Sequence, residues 1–343
     1  MYLPFDSHLP VGKLAAVFNN TSATYKFYWL LAILESLKKD TEIIYKKELF
    51  ARMVTQPWYT VNYFRLSFGP QDLIHSSISK LQELHDLKEN ASKEEVLGTI
   101  LHTTIKETDS ILWHFDKNVP FKFLSPWCGT GSASEIMRRS QDENTLALYA
   151  LHKDSIKIHP EWKGYLMQNS KVLRDFIHWN LTLFLQKRNP NIPDISGKLI
   201  KPAVRNSLGK QRQLWKAIIE RLGSIECIYT GKLLTGRAFD LDHFIPYSFV
   251  SHDQLWNLIP GDPSFNRSKN SKLPLLEKHF EKYFNLQSLA LEVALEINPK
   301  NKLLEDYFTV SKNFDKGLQY DQLYETVHPL ITIAHNNGFS YLS

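Results

Sequence analysis

Through most of the first 190 positions apolar residues recur at three- and four-residue spacing, the pattern of helices that bury one stripe against a core. It predicts helices over 22–39, 46–54, 73–87, 133–151 and 171–186. From Phe27 to Leu34 the first is apolar almost all round, so it belongs between other helices. Ser22 suits its N-cap, and the second helix must stop before Gln56-Pro57. Positions 111–127 break the pattern: aromatic and branched residues flank Asp116-Lys117-Asn118, which reads as a small hairpin. Cys128-Gly-Thr-Gly-Ser132 follows it, but no Gly-Lys-Ser/Thr ending completes a phosphate loop, so it reads as a turn before the next helix. Trp29, Trp58, Trp113, Trp127 and Trp179 are most simply core.

Shorter periods take over beyond the helical half. Cys227 to Lys232 reads as a strand, a Thr-Gly turn and a return, held by Ile225, Ile228, Tyr229 and Leu233. Leu241 and Phe244 flank Asp242-His243, with Ile245-Pro246 next, so this dipeptide reads as the end of a buried strand entering a loop. Helical spacing returns over 286–295 and 320–334, the latter interrupted at Pro329. The fold class expected is mainly α with small β elements (α+β).

Length and composition set the scale. With 343 residues, 43% of them hydrophobic, the chain can bury two cores. Three prolines and a glycine within 188–202 mark a linker, giving an expected division into 1–190, a mainly helical domain; 191–205, the linker; 206–285, a second domain with its core at 225–275; and 286–343, a helical extension. Two cysteines argue against a disulfide-built secreted scaffold. The first residues lack a signal-peptide pattern and no apolar run reaches membrane-spanning length, so the expected location is the cytoplasm, with no membrane partner.

Charge is concentrated rather than spread. Positions 197–282 carry 14 Lys and Arg against 8 Asp and Glu, whereas the whole chain carries 41 against 36, which leaves the remainder near neutral. A basic segment of this kind suits phosphate binding, where counterion release supplies affinity without sequence preference. Its candidates for nucleic-acid contact are Arg205, Lys210, Arg212, Arg267 and Lys269.

Within the same segment lie the parts of a one-metal phosphodiesterase. Such chemistry needs a base to activate water and a hard cation to neutralise charge on the phosphate. His243 is the candidate base; Asp242 and Asn266 offer the carboxylate and amide oxygens that Mg²⁺ or Mn²⁺ takes. Asn257 lies fourteen positions after His243, and Asn266 nine further on. Each has a plainer reading too: Asn257 as a turn residue, Asn266 as a helix N-cap.

Taken together, Asp242-His243-x-x-Pro246, Asn257 and Asn266-Arg267-x-Lys269 resemble the core of the HNH (ββα-metal, or His-Me finger) endonucleases, most nearly the HNH domain of RNA-guided CRISPR effector nucleases. The resemblance implies His243 as general base, Asp242 and Asn266 as metal ligands, Asn257 as brace of the loop and base, and Arg267 and Lys269 facing phosphate. It implies metal-dependent hydrolysis of DNA with a 3′ oxygen leaving, and a role as a bacterial restriction or anti-phage effector. Two alternatives stay open: a subunit idle until a partner engages the N-terminal domain, and a catalytically silent nucleic-acid-binding protein. Many HNH proteins hold a structural zinc on two Cys-x-x-Cys pairs; here Thr230 stands three after Cys227 and the other cysteine is Cys128, so no such zinc is expected.

Overall fold

A computed structural model describes residues 3–40, 42–200 and 207–343. With 59% of residues helical and 8% in strands, the chain is mainly α with small sheets. It divides into two compact units, one of residues 1–190 with 195–201, the other of 191–194 with 202–343.

The first unit is organised by the helix Tyr25–Ser36, buried at every position from Phe27 to Leu34. Its Trp29 indole donates to the Tyr149 hydroxyl (3.0 Å), which donates to the Pro120 carbonyl (2.6 Å), so the polar tips of two core aromatics satisfy each other. The helices Lys46–Thr55, Leu73–His85 and Ser170–Gln186 surround this core. Three short antiparallel strands, β1 (Ile43–Tyr45), β2 (Tyr149–Leu151) and β3 (Ser155–Ile158), form a sheet in the order β1-β3-β2.

Several expectations are corrected here. Positions 111–127 are not a hairpin but the end of the helix Lys106–Trp113, a 3₁₀ turn at His114–Lys117, and short helices Val119–Phe123 and Ser125–Cys128. The buried residues Leu112, Phe115, Val119 and Phe123 follow helical spacing, and both prolines sit in first turns, where a missing N–H costs nothing. The helix expected over 133–151 ends at Ser140, because the Asp142 side chain bonds the Asn144 N–H and turns the chain into β2. Trp179 is 54% exposed rather than core. The helix begins at Tyr25, with Thr24 rather than Ser22 at the N-cap position and no side-chain cap bond, and ends at Ser36, short of Lys39.

In the second unit the helix Gly209–Leu222 buries Leu214, Trp215, Ile218 and Ile219 and packs on the long helix Leu276–Ile297. Its chain turns at Gly223, whose φ of 84° lies in the region that favours glycine. A hairpin follows, β4 (Ile225–Glu226) with β5 (Leu233–Leu234), in which Leu234 faces the core and Leu233 is 73% exposed, reversing the expected contributor. Next come β6 (Asp240–His243) and β7 (Leu258–Gly261), antiparallel with Asp242 opposite Ile259 and His243 opposite Leu258. The helix Pro263–Lys269 completes a strand-strand-helix unit. The expected edge at 285 falls inside the Leu276–Ile297 helix, and the helix Tyr320–Asn336 runs through Pro329 without a break.

Candidate active site

The site is built where β6 ends. Pairing with β7 fixes the register of Asp242 and His243, and the chain then leaves the sheet through Phe244-Ile245-Pro246. Asn257, fully buried just before β7, holds this exit. Its Oδ1 accepts from the Ile245 N–H (2.8 Å), its Nδ2 donates to the Ile245 carbonyl (2.9 Å), and its own carbonyl accepts from the Phe244 N–H (2.8 Å). The main-chain carbonyl of Asn257 thus pairs with Phe244, and its side-chain amide takes the place of a strand partner for Ile245.

The imidazole is held from the other side by a residue the sequence reading missed. His243 Nε2 lies 2.9 Å from Asp253 Oδ1. The short helix Tyr247–Val250 ends in Ser251 at φ 59°, and this left-handed residue turns the chain so that Asp253 comes back to the histidine. Gln211 donates to the Asp253 carbonyl (3.3 Å), and Asp306 accepts from the Leu255 N–H (2.8 Å), so the chain is tied on either side of Gln254. With Nε2 bonded to a carboxylate, the neutral ring keeps its proton there and presents Nδ1 as the basic nitrogen. No regular spacing announces Asp253; only the pairing geometry does.

Asp242 is buried, and Lys269 faces it. The Lys269 ammonium lies 3.2 Å from Asp242 Oδ1 and 3.0 Å from Oδ2, and donates to the His243 carbonyl (2.7 Å), with no side-chain exposure. Expected to face phosphate, Lys269 is thus turned inward, and its charge is spent on the carboxylate. Burial pushes the Asp242 carboxyl above the usual range, against the opposing pull of Lys269 and His243. Among the described residues Asp242 Oδ2 has the Lys269 ammonium beside it at 3.0 Å but accepts no well-aligned hydrogen bond. Asn266 lies inside the helix Pro263–Lys269, not at its cap, which Asp262 supplies by accepting from the Ser264 N–H. Its amide nitrogen donates to the Leu241 carbonyl (3.4 Å), leaving its oxygen unbonded among the described residues.

The Asp242 carboxylate, paired with the Lys269 ammonium, and the unbonded Asn266 amide oxygen on the adjoining helix are hard donors of the kind Mg²⁺ or Mn²⁺ accepts, so the residues fit such an ion. A divalent ion would share Asp242 with the Lys269 ammonium. Among the described residues no group of three or more His, Cys, Asp or Glu side chains converges on a metal position.

The basic candidates divide by surroundings. Lys210 and Arg267 are exposed. Arg212 is anchored beside β6: it donates to the Phe239 carbonyl (2.6 Å), stacks 4.6 Å from the Phe239 ring and lies 3.6 Å from Asp240, while keeping about half its side chain exposed. Arg205 lies outside the described residues. Cys227 is fully buried in the hairpin that Ile225 and Ile228 pack.

Residues 226–275 match the family model of HNH endonucleases, and this segment, from the β4 hairpin through the Pro263–Lys269 helix, is an HNH endonuclease domain. No curated protein and no solved structure matches the chain. A domain of this family implies a nucleic-acid substrate and phosphodiester hydrolysis. No described helix is long and apolar enough to cross a membrane.

Proposed function

We propose that the chain is a metal-dependent endonuclease that hydrolyses DNA phosphodiester bonds, in the setting of bacterial restriction or defence against phage. The observation that carries this reading is His243, held at Nε2 by Asp253 (2.9 Å) while Asn257 clamps the two residues that follow. A histidine fixed in one tautomer at the mouth of a loop is what a general base requires. His243 takes a proton from water at Nδ1 as the oxygen attacks phosphorus, and the developing imidazolium is stabilised by the Asp253 carboxylate. Asp242 and Asn266 would hold Mg²⁺ or Mn²⁺, which supplies charge neutralisation at the phosphate and the departing 3′ oxygen. Lys269 keeps Asp242 and the His243 carbonyl in place. The products carry a 5′ phosphate and a 3′ hydroxyl. DNA ligase reseals such ends, so incubating a cut duplex with ligase should restore it; unligatable ends would overturn the assignment of the leaving oxygen.

The substrate runs over the exposed basic residues of this unit. Replacing Lys210, Arg212 and Arg267 with Gln should weaken duplex binding for every sequence and flatten the slope of log affinity against log salt by about 0.9 per lost phosphate contact. Binding measured across a salt series checks this. An unchanged slope in the triple variant places the DNA path elsewhere.

A further inference from the structure

The first unit contains a second site candidate, remote in sequence from the nuclease residues. An open cavity of about 610 Å³ lies between the loop before the Tyr25–Ser36 helix, the 114–125 stretch and the Gly129-Thr130-Gly131 turn. Its size is that of small-molecule pockets. Two lysines line it, Lys26 and Lys122, together with His114, and no aspartate or glutamate does.

The positive charge there is uncompensated. Lys26 donates to the Val17 and Asn20 carbonyls (3.1 and 3.0 Å), and Lys122 donates to the Asn118 amide oxygen (2.7 Å); among the described residues neither forms an ion pair with a carboxylate. Burial and the neighbouring Lys122 both hold the Lys26 amine below the ordinary lysine range, so the two cations cost one another free energy. Nearby carboxylates are engaged elsewhere. Asp72 accepts from the Thr24 N–H and hydroxyl (both 2.6 Å) and the Ile74 N–H (3.0 Å), and Glu135 closes the capping box with Ser132. An anion entering the cavity would relieve the lysine repulsion without displacing an existing ion pair.

The walls also carry aromatic surface. Tyr25 and Phe121 line the cavity, and the Tyr25 hydroxyl is fixed by accepting from the Leu73 N–H (2.8 Å). Aromatic side chains are thus at hand for a ring-bearing ligand, and Thr21, Ser22, Gln71 and Ser125, which also line the cavity, can take its polar edge. We infer that this cavity binds a small phosphate-bearing molecule with a planar base, of nucleoside monophosphate size, with Lys26 and Lys122 on the phosphate and Tyr25 and Phe121 on the ring. The turn at 128–132, which lacks a phosphate-loop ending, forms part of the rim.

Calorimetric titration of the full chain with adenosine 5′-monophosphate, in EDTA to keep the nuclease site free of metal, tests the assignment. Saturable binding below about 1 mM is expected, with inorganic phosphate and adenosine each at least about tenfold weaker. Lys122→Gln should weaken binding about tenfold or more, because a charge-assisted contact is lost, while the melting temperature stays unchanged since Lys122 is exposed. Lys26→Met combined with Lys122→Gln should abolish it. Should the double variant misfold, Lys122→Gln alone decides. The assignment is overturned by no saturation up to about 1 mM, by unchanged affinity in Lys122→Gln, or by phosphate binding as tightly as the nucleotide.

Discussion

His243→Ala should lower the cleavage rate by about 10² to 10⁴-fold while duplex affinity stays unchanged, because it removes the group that accepts the proton from water and little else. Single-turnover cleavage alongside filter binding separates these quantities. Asp253→Asn extends the test to the residue that orients the base. It should lower kcat by about tenfold to a hundredfold with little change in KM, by analogy with other groups that act through a neighbouring imidazole. In the His243→Ala background the same change should do nothing further, since there is no ring left to position. Equal losses from Asp253→Asn in both backgrounds would make Asp253 a structural residue of the loop.

The second large effect is on stability as well as rate. Asp242→Ala leaves the Lys269 ammonium buried with the His243 carbonyl but no carboxylate, and breaking a buried pair in this way costs about 3–5 kcal/mol. Urea unfolding of the full chain reads this loss. Asp242→Asn with Lys269→Met replaces both charges by neutral groups of similar shape, and should recover most of the stability while cleavage stays absent. Recovery of stability and cleavage together would remove Asp242 from the metal site.

How much of this could be read from the chain depends on distance along it. Asp242 and His243 are adjacent, and the two asparagines fall at intervals set by one strand pair and one helix, so residue types and spacing reveal them together. Asp253 is hidden because its approach to His243 depends on one left-handed residue, Ser251, in a loop with no periodic signal. Lys269 reads as surface charge in a basic segment; only the packing of the last turn of its helix against β6 shows that its ammonium is spent inside. The 111–127 stretch misleads in another way. Aromatic and branched residues suit strands by propensity, yet Leu112, Phe115, Val119 and Phe123 are spaced for a helical stripe, and the packed core decides in favour of spacing. In the β4–β5 hairpin a one-residue shift exchanges Leu233 for Leu234, since alternation alone cannot say which of two adjacent leucines faces inward.

Metal-dependent cleavage of DNA with His243 as the base is tested by incubating supercoiled plasmid with the purified full chain in Mg²⁺ or Mn²⁺, in EDTA, and with the His243→Ala variant. Conversion to nicked or linear plasmid is expected with the divalent ion, and intact supercoils in EDTA and with the variant. Cleavage that persists in EDTA or in His243→Ala, or supercoils left intact by the unaltered chain at every Mg²⁺ and Mn²⁺ concentration, would contradict it.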